Sequence, residues 1–168
     1  LSIRRQRQMC IRDSLKAGEV NTLLPNNPLA VNFGGTVDLN GGAQFVGSLY
    51  SVGSAANEDE QGGTVTNQAG TQATLVTNAN GSFGGVISSD VYLAKVGTNG
   101  LSLLYPQTYT GGTLVAGGTL TLADDGSILN SSSLTVLFGQ LTLGNTNLKD
   151  VPNRLGAVSY THLTLPTN

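Results

Sequence analysis

The sequence predicts an all-β chain, wound as a parallel β-helix or β-solenoid, and three observations carry that prediction. Strong helix formers such as Glu, Lys, Arg and Met are scarce, with charged residues only 11% of the chain, and 23 glycines interrupt every segment that a helix would need. Short stretches alternate polar and apolar residues with period two, each bounded by Gly, Asn, Asp or Ser. One phrase, Gly-Gly-Thr-aliphatic, recurs along the chain at unequal intervals.

Taken in order, the strand signals are Val37-Asp38-Leu39, Thr64-Val65-Thr66, Leu101-Ser102-Leu103, Thr119-Leu120-Thr121-Leu122, Leu134-Thr135-Val136 and Leu141-Thr142-Leu143. Alternation turns Leu120, Leu122, Leu141 and Leu143 toward a core and Thr119, Thr121 and Thr142 toward water. The recurring phrase stands at Gly34–Val37, Gly62–Val65, Gly111–Leu114 and Gly117–Leu120, with looser variants at Phe83–Val86 and Phe138–Leu141. Strands joined by glycine corners suit two architectures, an antiparallel sandwich or barrel and a solenoid of stacked coils. The sandwich needs two-residue hairpins, for which Asn40-Gly41 and Asn80-Gly81 are the best candidates. The solenoid needs tight Gly and Asn corners, outward Thr ladders and a column of Leu, Val and Ile, and the sequence offers each of these. Patterning therefore favours the solenoid.

The two ends stand apart from this pattern. A back-translation of Arg4–Ser14, RRQRQMCIRDS, has a reverse complement that encodes AVSYTHLTLPT, the string at Ala157–Thr167. Inverted copies of one DNA sequence at both ends resemble a translated transposase adapter of a sequencing library. Residues 1–14 and 157–168 are accordingly set aside as a translated adapter artefact, and 15–156 is read as a β-solenoid repeat region truncated at both ends. Cys10, Met9 and His162, each the single residue of its type, fall in the excluded ends, as do Arg4, Arg5, Arg7 and Arg12. The remainder keeps four basic residues, Lys16, Lys95, Lys149 and Arg154, against nine acids, a net charge of −5. An acidic surface repels phosphate backbones, so nucleic acid is not an expected partner. Without cysteine, residues 15–156 are not a disulfide-stapled scaffold, and no apolar run approaches the ~20 residues of a membrane-spanning helix.

Residues 94–122, AKVGTNGLSLLYPQTYTGGTLVAGGTLTL, resemble the autotransporter-associated β-strand repeat. That family's pattern runs roughly K-x-G-x-G-x-L-x-L, a connector, then T-Y-T-G-G-T-x-V-x-x-G-T-L-x-L. Lys95, Gly97, Gly100, Leu101 and Leu103 fit the first part with one spacing slip near Asn99; Thr108–Thr113, Val115 and Gly118–Leu122 fit the second. Val37–Leu49, Gly62–Leu75 and Ser82–Ser88 look like segments that precede such a repeat, and Asn153–Gly156 (NRLG) looks like the opening of another copy. Where the family has a small polar connector, this chain has Leu104-Tyr105-Pro106. The resemblance implies a right-handed parallel β-helix in an exported passenger region, secreted or held at the outer membrane and cell surface of a Gram-negative-type bacterium. It further implies a separate outer-membrane β-barrel translocator elsewhere in the full-length chain. The implied work is that of a non-catalytic stalk, adhesin-like in supporting a tip, with any surface carbohydrate or cell-surface ligand bound through regions outside this sequence.

Candidate sites are few. Asp124-Asp125 is a carboxylate pair with the residue types of acid–base or Ca²⁺ chemistry, but ADDGS is also ordinary turn chemistry and lacks the Gly-Gly-x-Gly-x-Asp nonapeptide of Ca²⁺-binding β-rolls. Glu58-Asp59-Glu60 is the one charge cluster and reads as a solvated loop rather than a cation site. Tyr50, Tyr92, Tyr105 and Tyr109 are candidates for a carbohydrate-stacking surface, with corner packing and wet hydroxyls the favoured reading. Residues 15–156 hold neither His nor Cys, which removes Ser-His, Cys-His and most zinc chemistry. No catalytic, cofactor-binding or metal site is assigned, no cofactor is expected, and the chain is not expected to be an enzyme. The alternative, from another functional class, is the non-catalytic coils of an extracellular polysaccharide-acting β-helix enzyme whose active coils lie outside this sequence.

Overall fold

The computed structural model describes residues 14–23, 25–52, 62–145 and 151–156, and the backbone of 159–162. The Glu58-Asp59-Glu60 cluster lies outside the described residues, as do nearly all of residues 1–14. Among the described residues there are sixteen strands and no helix, and they stack as a β-solenoid of about 6 turns.

Three faces make up the wall. The first holds β1 (Ser14–Lys16), β3 (Thr36–Asp38), β6 (Thr64–Thr66) and β9 (Val86–Ile87). The second holds β4 (Ala43–Val46), β7 (Ala73–Thr77), β10 (Val91–Lys95), β12 (Thr113–Val115), β14 (Ser133–Val136) and β16 (Ser159–His162). The third holds β8 (Gly81–Phe83), β11 (Gly100–Leu103), β13 (Gly118–Leu122) and β15 (Gly139–Leu143). β2 (Leu29–Ala30) pairs with β5 (Leu49–Tyr50), and β5 packs against β8, which extends the third face. Every strand ladder is parallel. On the second face the register passes from Leu75 to Leu93 to Thr113 to Leu134, steps of 18, 20 and 21 residues per coil.

Parallel pairing decides between the two architectures, because hairpins join antiparallel strands. One of the two hairpin candidates, Asn40-Gly41, explains itself as a corner. Asn40 and Gly41 are both left-handed, with φ of 51° and 74°, as a tight turn demands. The strands they join, β3 and β4, belong to different faces. The same logic accounts for the unequal spacing of Gly-Gly-Thr. It precedes or opens β3 and β6 on the first face, β12 on the second and β13 on the third, so it marks a corner entering a strand rather than one place in the coil.

The core is a set of columns running along the axis. Val37, Val65 and Ile87 stack on the first face, Leu75, Leu93, Thr113 and Leu134 on the second, and Phe83, Leu103 and Leu122 on the third, all of them buried. Each such aliphatic side chain contributes about 1.5–3 kcal/mol by leaving water. On the outward side of the third face Ser82, Ser102, Thr121 and Thr142 form the expected hydroxyl ladder. The second face differs from expectation: its outward ladder is Phe45, Val76, Ala94 and Leu114, apolar over four rungs before Thr135.

The inward assignment holds for Leu120 and Leu122, which are fully buried. Leu143 shares the inward register of Leu122 but is 49% exposed, while Leu141 is partly buried against the core. The cause is axial. β15 is the edge of the third face, and among the described residues no strand pairs on its far side. Thr119, Thr121 and Thr142 are half-buried on the opposite side of their strands.

Candidate functional site

The polar side chains that a site would use are spent on the fold itself. Tyr109 is buried at the corner that leads into β12, and its hydroxyl lies 2.6 Å from the Thr113 hydroxyl. Thr113 Oγ1 is in turn 2.8 Å from Ser131 Oγ, and Ser131 also bonds the Gly111 and Ser133 carbonyls. Burial holds the Tyr109 phenol protonated well above its ordinary range, and the Thr113 and Ser131 hydroxyls act weakly in the opposite sense. The Gly111-Gly112 pair inside Thr-Tyr-Thr-Gly-Gly-Thr has a steric cause. A Cβ at Gly111 would overlap the Val91 carbonyl oxygen of the coil below, and one at Gly112 would strike the Tyr92 ring and the Ser133 hydroxyl. The motif is thus a plugged corner: one large ring inside, one glycine where a backbone crosses and a second against the Tyr92 ring and the Ser133 hydroxyl.

The four tyrosines do not act alike. Tyr109 packs inside with a dry, hydrogen-bonded hydroxyl rather than a wet one. Tyr50, Tyr92 and Tyr105 are half-buried at three separate places, on β5, on β10 and in the connector after β11. That connector is built into the wall. Leu104 is buried and its N–H donates to the Phe83 carbonyl, and Pro106 bridges to Ser127.

Asp124-Asp125 lies in a closed turn. Asp124 has a left-handed backbone (φ 48°), and the Gly126 N–H donates to the Ala123 carbonyl at 2.7 Å. The turn's carbonyls are held from the next coil by Arg154. Its guanidinium donates to Gly126 O at 2.6 Å, Asp124 O at 2.7 Å and Gly144 O at 2.8 Å, and its Nε to Asn145 Oδ1 at 3.1 Å. Arg154 precedes Leu155, which bridges to Ile128 on the line of the first face, whereas Lys95 ends β10 on the second. Asn153–Gly156, which looks like the opening of another copy, therefore does not occupy the place on the coil that Ala94–Gly97 occupies; register with the Ile128 rung fixes it.

Lys95 is the other buried cation among the described residues. It points inward between Thr77 and Val115, and Nζ donates to the Val96 carbonyl at 2.6 Å. Burial pushes its ammonium pKa below the ordinary lysine value.

Gln107, Asn67 and Asp38 are among the buried groups that stitch coils together and that sequence reasoning missed. Gln107 donates from Nε2 to the Gly85 and Tyr105 carbonyls and accepts the Ile87 N–H. Asn67 accepts the Gly41 and Ala69 N–H groups and donates to the Thr71 and Asp90 carbonyls, so it ties three coils. The Asp38 carboxylate accepts the Asn40 and Gln68 N–H groups. These contacts satisfy backbone groups at corners that no strand ladder reaches. Their cross-coil partners lie about one coil away, where no local pattern in the sequence marks them.

Among the described residues no group of three His, Cys, Asp or Glu side chains gathers where it could hold a metal ion. No helix there is long and apolar enough to cross a membrane. Comparison with family models, curated proteins and solved structures finds no match to this chain.

Proposed function

We propose that residues 15–156 are a stalk segment of an exported, autotransporter-like surface protein, and that the flanking ends are translated adapter DNA. One observation carries the reading: in the stretch with the family-like motif, the buried tyrosine, the glycine pair and the core leucines each have a scaffold task. Tyr109 plugs a corner, Gly111 permits a backbone crossing, Gly112 makes room for the Tyr92 ring, and Leu101, Leu103, Leu120 and Leu122 fill the core columns. A motif occupied in this way leaves a rod that gains length coil by coil, which is what projecting a tip from a cell requires. Adhesion, in this reading, belongs to the tip and not to these coils.

The test is to amplify the locus from its source DNA and read it without transposase adapters. The expected result is that 1–14 and 157–168 are replaced by further coils, followed downstream by a membrane β-barrel. Recovery of the same two end strings would overturn the adapter reading. A neighbouring coil that gathers Asp, Lys and Arg in one groove would overturn the stalk in favour of a polysaccharide-acting β-helix enzyme.

A further inference from the structure

We draw no further inference here: the strongest candidate, the apolar stripe of Phe45, Val76, Ala94 and Leu114 along the outward face of the second sheet beside Tyr92, is already partly covered by its own neighbouring rungs, and nothing in the structure shows what would cover the rest.

Discussion

Gly-Thr-Leu-Thr-Leu at 118–122 and Gly-Gln-Leu-Thr-Leu at 139–143 are nearly the same phrase, pair with each other in register, and differ in burial. Leu122 is sealed and Leu143 is 49% exposed. Both leucines obey the same alternation, so local pattern tells only which way a side chain points. Whether it is buried depends on cover from both axial neighbours: β13 lies between β11 and β15, and β15 lies at an edge.

The comparison can be broken most forcefully at its core. Leu120→Ala or Leu122→Ala should destabilise the fold by about 2–5 kcal/mol in urea or guanidinium denaturation, whereas Leu143→Ala should fall within about 0.5 kcal/mol of the parent. Equal losses at Leu122 and Leu143 would show that axial cover does not set burial.

Next in size is the corner. Gly111→Ala drives a methyl into the Val91 carbonyl and should cost about 1–3 kcal/mol, as overpacking does. Gly70→Ala, where nothing stands within 4 Å of the new carbon, is the control and should be close to neutral in the same melt.

Tyr109→Phe removes one hydroxyl while Thr113 and Ser131 still bond each other, so about 0.5–1.5 kcal/mol should be lost. A wet Tyr109 hydroxyl would give almost no change in thermal midpoint.

Lys95 sharpens the comparison through pH. Its pKa is lower folded than unfolded, so between those two values the unfolded chain binds more protons. Stability should therefore rise with pH as it passes through the folded pKa toward the ordinary lysine value. The penalty is fully present below that window. Denaturation midpoints measured from pH 7 to pH 10.5 should show this rise, and Lys95→Met should remove Lys95's contribution to it. An unchanged pH dependence in the variant would place the ammonium in water.

Much of the wall was legible in the sequence. Val37, Val65, Leu101, Leu103, Leu120 and Leu122 sit inside as their alternation demands, and the glycine corners fall where Gly-Gly-Thr stands. The polar interior was not. Gln107, Asn67 and Arg154 look like surface residues because a buried polar group is stabilised by partners about one coil away. Apart from Asn145, which Arg154 reaches through Nε, their partners are backbone carbonyls and N–H groups, which carry no side-chain signature. The apolar outward stripe was hidden for a related reason: Phe45, Val76, Ala94 and Leu114 are far apart in sequence and become one ladder only through register.

Register is also what a single measurement tests most directly. With Cys10 replaced by Ser, spin labels at Thr142 paired in turn with Thr121, Ser102 and Ser82 lie one, two and three rungs apart on the third face. Parallel rungs are ~4.8 Å apart, so the backbone separations should climb in equal steps to about 14 Å. Dipolar broadening in continuous-wave electron paramagnetic resonance should weaken step by step along that series. Strong coupling for Thr142–Ser82 together with weak coupling for Thr142–Thr121 would contradict the solenoid.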